Sequence, residues 1–297
     1  MSKTAAIAST PNPDVFPNSG VCLIEDVLPG VGQFRGSGVV IGPHTILTAS
    51  HVLWDADSGV GASSAEITLG SEVVSGRMSF HYNRIDDRDD SLSRTGSARD
   101  FAIITTARDL SRFGAFDIAT DFSGGAVNVS GYPAVSGLRQ VKTKGSVTPG
   151  VSASVLNYDG FSLAPGYSGG PIWTNRGTSV DPDPAVAGLV STTRWGTQLT
   201  QADVRQIRRW EAADTGLYTD AAASSPVDTA TARSLASDVQ ASAAAFITGQ
   251  GAISPGIDSA HVTTEMAAPH HATDLGLFAG LNIHDSVGSP RSSTHRG

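Results

Sequence analysis

The sequence predicts an all-β fold, with two β-barrels or sandwiches packed together and a helix closing the domain. Three observations carry this expectation. Gly at 33 and Pro at 15 of 297 residues separate many short apolar runs, the pattern of short strands joined by turns. The runs fall into two successive sets, as two β units would require. The series then stops at one amphipathic segment, after which the composition changes.

Residues 1–19 are polar and carry Pro11, Pro13 and Pro17, so they read as an extended arm. The first set of strands follows from Gly20, in VCLIE (Val21–Glu25), GSGVVIG (Gly36–Gly42), TILTAS (Thr45–Ser50) and EITLG (Glu66–Gly70). After a charged loop, NRIDDRDDSLSRTGSARD, it ends in DFAIITT (Asp100–Thr106), giving a barrel 1 of about residues 20–110. The second set is AVNVSGYP (Ala126–Pro133), LRQVKTKGSVT (Leu138–Thr148), ASVLNY (Ala153–Tyr158), GPIWT (Gly170–Thr174) and AVAGLVST (Ala185–Thr192), a barrel 2 of about 120–199. In TQADVRQIRRWEAAD, Thr200 stands as a cap, Asp203 lies in the first turn, and Val204, Ile207 and Trp210 share one face. That predicts the closing helix over about 200–213. Residues 214–297 turn to Ala, Ser, Thr and Gly without a Lys, a low-complexity tail expected to be largely disordered. Within it Leu235, Val239, Phe246 and Ile247 fall at helical spacing behind Asp228.

Composition narrows the function. The chain is 39% hydrophobic and 16% charged, as a globular protein of one or two domains is. A net charge of −8 without a basic cluster argues against nucleic acid as a partner. No apolar stretch reaches membrane-spanning length, and Lys3 is not followed by the apolar run of a secretory signal. A soluble monomer is expected, with export by another route and a cytoplasmic location both open. Cys22 is the only cysteine and reads as a buried thiol at the start of a strand, so no intramolecular disulfide can form.

Three segments carry chemistry together. ILTASHVLW places His51 at the end of an apolar strand, where a base would sit at a domain edge. ARDFAIITT places Asp100 directly before a buried strand, where a carboxylate could orient an imidazole. PGYSGGPIW sets Ser168 among glycines; Gly166 can turn the backbone so that its N–H and that of Ser168 converge on a substrate oxyanion. A base, an orienter and a nucleophile are the parts of a serine acyl-transfer mechanism. Each element alone is ordinarily a turn, a cap or a structural histidine; the combination is specific.

GSGVVIGPHTILTASHVL, DFAII, VSGYP and GYSGGPIW resemble the trypsin-like, chymotrypsin-fold serine endopeptidases, and among them the bacterial glutamyl-endopeptidase-like branch. The resemblance covers about residues 15–213. It implies two six-stranded antiparallel barrels with the active site between them, a protein or peptide substrate and no cofactor. It implies His51 as general base, Asp100 as its orienter, Ser168 as nucleophile, the N–H groups of Gly166 and Ser168 as oxyanion hole, and Ser191 as a hydrogen-bonding support for Asp100. Tyr167 departs from the animal members, which carry Asp before the nucleophile and pair it with a newly cut N-terminus. Activation by that ion pair is therefore not expected here, and the hole is either preformed or held by Tyr167 packing.

By the same resemblance the specificity pocket comprises Ser162, Leu163, Val190, Thr192 and Thr193. Ser162 at its base is no acid, which disfavours Lys or Arg at P1. Val190 stands where glutamate-specific relatives use a histidine, which disfavours Glu. A small or medium apolar P1 side chain is expected, narrowed by Thr193, unless a gap aligns Trp195–Gly196 with the pocket mouth instead. Two other functions fit parts of the sequence. The GYSGG stretch also satisfies the nucleophile elbow of α/β-hydrolases, but Gly-Gly-Pro initiates a helix poorly and the downstream histidines, His261, His270, His271, His284 and His295, all lie in the tail. A catalytically silent binding module of the same fold is the other alternative. Calcium at Asp86, Asp87, Asp89 and Asp90 matches no loop signature, and His270–His271 lacks further metal ligands, so no metal is expected.

Overall fold

The computed structural model describes residues 7–87, 92–151 and 154–218, which are mostly β-strand. The first group of strands is β1 (Ile7–Ser9), β2 (Val21–Leu28), β3 (Gly32–Gly42), β4 (Thr45–Thr48), β5 (Trp54–Asp55), β6 (Val60–Gly61), β7 (Ser64–Leu69), β8 (Glu72–Val74), β9 (Met78–Tyr82) and β10 (Ala102–Thr106). The second is β11 (Asp117–Ile118), β12 (Gly125–Gly131), β13 (Val141–Pro149), β14 (Val155–Asp159), β15 (Pro171–Asn175), β16 (Pro184–Val190) and β17 (Trp195–Gln198). The α-helices are α1 (Ser50–Leu53), α2 (Arg94–Ser97) and α3 (Gln201–Ala213).

The second sheet closes into a six-stranded antiparallel barrel: β12, β13, β14, β17, β16 and β15 pair in turn, and β15 pairs back to β12. The first is a curled antiparallel sheet in the order β8-β7-β2-β3-β4-β10-β9. Its end strands β8 and β9 do not pair with each other among the described residues. Of the N-terminal arm, Ile7–Ser9 form β1, and turns lead from there to a 3-10 helix at Asn18–Gly20. β1 pairs with Lys142–Lys144 of β13, while β14 takes the other half of that strand. β9, β17 and α2 were not evident in the sequence. MSFHY is half-buried at every position and WGTQ is short, so neither shows a clear alternation.

Burial explains the continuous apolar runs that marked the central strands. One core fills the first sheet around Ile24, Ile46, Val52 and Ile104. A second fills the closed barrel around Val129, Leu156, Ile172 and Val190. The third lies between them, where Val21, Leu23, Val39 and Ile103 meet Tyr132, Trp173, Val186 and Leu189. Strands flanked by two cores bury both faces, and β10 and β16 are buried at every residue. Helix α3 begins at a capping box formed by Thr200 and Asp203. Its Trp210 reaches the first sheet, lying 5.6 Å from the Phe101 ring and 5.9 Å from His81. His81 Nε2 meets Asp214 Oδ2 at 2.9 Å, fastening the end of the helix to β9.

Cys22 is free and fully buried, and burial pushes its thiol well above the ordinary range. In the acidic loop, Asp87 Oδ2 accepts from Ser93 N–H at 2.9 Å and Ser93 Oγ at 2.8 Å, so it braces the start of α2. Asp89, Asp90 and the tail from residue 219 on, with its helix-like segment, lie outside the described residues. No group of three or more candidate metal-binding His, Cys, Asp or Glu side chains occurs among the described residues, and no helix there is long and apolar enough to cross a membrane.

Candidate active site

His51 stands where β4 leaves the sheet and turns into α1. Such a short helix needs partners for its first N–H groups, and its N-cap, Ala49, has no side chain to offer. Asp100 supplies one from across the sheet. Its Oδ1 accepts the His51 backbone N–H at 3.0 Å, and its Oδ2 lies 2.7 Å from His51 Nδ1. The carboxylate is fully buried, whereas the imidazole keeps 20% of its side-chain surface exposed. With Nδ1 donating to the carboxylate, the proton of the neutral ring sits there and Nε2 carries the lone pair.

A hydroxyl shell fixes this pair. Ser191 Oγ, from the closed barrel, donates to Asp100 Oδ2 at 2.6 Å and lies 3.1 Å from Ser97 Oγ. Thr197 Oγ1 is 2.9 Å from the Asp100 carbonyl. Ser50 Oγ donates to the Phe101 carbonyl at 2.6 Å and accepts from Asn83 N–H at 3.0 Å. Burial lowers the His51 pKa, but the Asp100 charge and hydrogen bond, with a further contribution from Asp26, outweigh it and hold the imidazole above its ordinary value. Asp26 belongs to none of the sequence motifs above. It is fully buried on β2, and neither carboxyl oxygen has a hydrogen-bond partner among the described residues. Its register with Cys22 and Ile24, an acid on an apolar face, was the available signal.

The Ser168 loop connects β14 to β15 and lies against β3 and the end of β4, which leads into the helix that carries His51. Gly169, at φ +75°, leaves no room for a side chain: a Cβ there would come within 2.7 Å of the Ala49 nitrogen. Gly166 adopts φ +98°. The Ser168 carbonyl accepts from Ser37 N–H at 2.7 Å, the Pro165 carbonyl from Ala134 N–H at 3.0 Å, and Gly169 N–H donates to the Val190 carbonyl at 2.8 Å. The N–H groups of Gly166 and Ser168 donate to no acceptor among the described residues, nor does Ser168 Oγ hydrogen-bond to His51. Tyr167 is buried, its hydroxyl 3.2 Å from Thr143 Oγ1.

Of the residues expected around the specificity pocket, Ser162 is exposed and Leu163 packs on the barrel core that contains the buried Val190. Thr192 and Thr193 follow Ser191 into a tight turn, in which Thr192 N–H donates to the Trp195 carbonyl at 2.9 Å. Trp195 N–H returns a bond to Thr192 Oγ1 at 3.0 Å. Trp195 and Gly196 belong to β17, with Gly196 opposite Val190.

Residues 36–180 match the family described as a trypsin-like peptidase domain, a span that holds His51, Asp100 and Ser168 and ends before Ser191. No curated protein sequence matches the chain. Among solved structures, a Glu endopeptidase is 22% identical with a TM-score of 0.54, the match covering 69% of this chain and 96% of that one. A thermostable serine protease, AL20, from an extremophilic microorganism is 16% identical with a TM-score of 0.51, covering 66% and 97%. A scabies mite inactivated protease paralogue is 14% identical with a TM-score of 0.50, covering 68% and 98%. At these identities the likeness is one of fold, the chymotrypsin fold.

Proposed function

We propose that this chain, which carries a trypsin-like serine endopeptidase domain, cleaves peptide bonds through His51, Asp100 and Ser168 by way of an acyl-enzyme. The observation that carries the reading is the doubly held His51–Asp100 pair, joined to Ser191, with the Ser168 loop packed against Ala49 and two of its N–H groups without an acceptor among the described residues. In the reaction, Ser168 Oγ attacks the scissile carbonyl while His51 Nε2 takes its proton. Asp100 keeps the ring in the required tautomer and stabilises the imidazolium. The tetrahedral oxyanion accepts from Gly166 and Ser168 N–H, an interaction whose single donors are worth roughly 3–4 kcal/mol of barrier in such sites. Collapse of the intermediate expels the amine, which takes the proton from His51. Water then repeats the sequence on the acyl group and regenerates the hydroxyl. Nucleophile–base contacts of this kind are often long without substrate and tighten when it binds.

Ser162, Leu163, Val190, Thr192 and Thr193 carry no charge. With Val190 buried on the barrel core, they fit a small or medium apolar P1 side chain better than Lys, Arg or Glu. The test is labelling by a fluorophosphonate probe, comparing the full chain, Ser168→Ala and a chain ending at Tyr218. Labelling of the first and third, lost in the second, is expected. No labelling of the full chain would overturn the assignment.

A further inference from the structure

Among the described residues, the hydrogen bonds that hold the nucleophile loop to the opposite sheet all come from Ser37 of β3. Ser37 is fully buried, and all of its polar atoms are engaged. Its N–H donates to the Ser168 carbonyl at 2.7 Å, and its carbonyl accepts from Thr48 Oγ1 at 2.7 Å. Its Oγ accepts from Tyr132 N–H at 2.9 Å, which directs its own proton to the Gly166 carbonyl at 2.6 Å. Gly131 allows this convergence: a Cβ there would lie 2.9 Å from both Ser37 Oγ and the Tyr167 ring.

We propose that Ser37 is a positioning residue for the reaction, fixing the Gly166–Tyr167 peptide so that the oxyanion donors stand ready in the folded domain. A peptide unit is planar, so tying down its carbonyl also fixes its N–H. Gly166 N–H shares its peptide with the Pro165 carbonyl, held by Ala134 N–H, and Ser168 N–H shares its peptide with the Tyr167 carbonyl, held by Gly170 N–H. Ser37 Oγ holds the Gly166 carbonyl, and with it the peptide that joins these two. Rotating that joining peptide would swing both donor peptides and leave the carbonyl of the buried Gly166 without this partner. Gly166 N–H and Ser168 N–H are the groups left free, on either side of a Tyr167 whose buried side chain cannot follow a rotation. The hold is made wholly by residues of the folded domain. β1, the strand of the N-terminal arm, is engaged elsewhere, along Lys142–Lys144.

This inference rests on the proposed function, and the test separates the two. The full chain, Ser168→Ala, Ser37→Ala and Ser37→Cys are compared for fluorophosphonate labelling rate, thermal unfolding and the His51 pKa by NMR titration. The cysteine variant keeps the side-chain shape and weakens the donor, so it serves if the alanine variant does not fold. Labelling about ten-fold slower or more is expected in each folded Ser37 variant, since losing an oxyanion donor outright costs about 100–1,000-fold. The His51 pKa is expected to stay in place, because general loosening of the site would move it and a misaligned N–H would not. Wild-type labelling rates in folded Ser37 variants would overturn the role of Ser37 and leave the triad standing. An unlabelled full chain would instead overturn the triad assignment on which the role depends.

Discussion

Asp100 holds His51 at two points, one carboxylate oxygen on the backbone N–H and the other on the ring. The same side chain therefore completes the first turn of α1 and sets the imidazole tautomer. Structure and chemistry can be separated at this residue.

Asp100→Asn keeps an oxygen for the His51 N–H but presents the ring with the wrong partner. Turnover should fall by roughly 10³–10⁴-fold, the order seen when a triad aspartate becomes an amide. Asp100→Ala should lose activity similarly and also cost about 1 kcal/mol for the uncapped helix start. Denaturant unfolding of both variants beside their peptide hydrolysis rates checks this; equal stability of the two would mean that the backbone contact contributes nothing.

The pH dependence follows from the raised His51 pKa. Only neutral His51 can accept the Ser168 proton, so labelling should rise with pH through a midpoint above the ordinary value of 6.5. A group whose folded pKa is raised stabilises the fold below its unfolded pKa and loses that contribution as pH rises through the folded one. The pair should accordingly favour folding at acid pH while suppressing activity there. A labelling midpoint below 6.5 would contradict the outcome set by Asp100 and Asp26.

Asp26 supplies a second pH signature. Burial pushes its carboxyl up to about 7 from 3.8. The folded chain binds this proton more tightly than the unfolded chain, so wild-type stability should fall as pH rises from about 4 to about 7 and level off above. Asp26→Asn removes that slope, and its stability relative to wild type should improve by about 2–4 kcal/mol between pH 4 and pH 8. Loss of the charge should also lower the His51 midpoint. Urea titrations across pH would reveal the difference, and parallel curves would show that Asp26 ionises freely.

Ser191→Ala removes the only hydroxyl donating to the buried Asp100 Oδ2 among the described residues. A hydrogen bond to a charged group is worth about 1.5–3 kcal/mol. Hydrolysis about ten-fold slower is expected, with the loss confined to kcat because Ser191 acts through Asp100. A change in KM alone would place the Ser191 hydroxyl on the substrate instead.

On peptide libraries, cleavage should follow small and medium apolar residues, with Glu, Lys and Arg at P1 cut at least ten-fold more slowly. A burial difference of one or two methylene groups sustains selectivity of about this size. A strong preference for Glu would require a positive group that Ser162, Leu163, Val190, Thr192 and Thr193 lack.

What the sequence determined by itself was the local grammar. Apolar runs cut by glycine and proline marked the strands, Thr200 and Asp203 marked the closing helix, and glycines around Ser168 announced a tight loop. These are short-range effects, set by period, propensity and the steric freedom of glycine. The tertiary structure decided what those segments do to one another. It let Asp100 cap a helix forty-nine residues away in sequence, brought Ser191 of the closed barrel to that carboxylate, and tied Ser37 of the first sheet to Gly166. It also left Asp26 buried without a hydrogen-bond partner among the described residues. In sequence Ser37 was one letter of an apolar strand and Asp26 one acid among many. Their surroundings arise only when the two sheets close over a shared core, because pairing and desolvation depend on neighbours far along the chain.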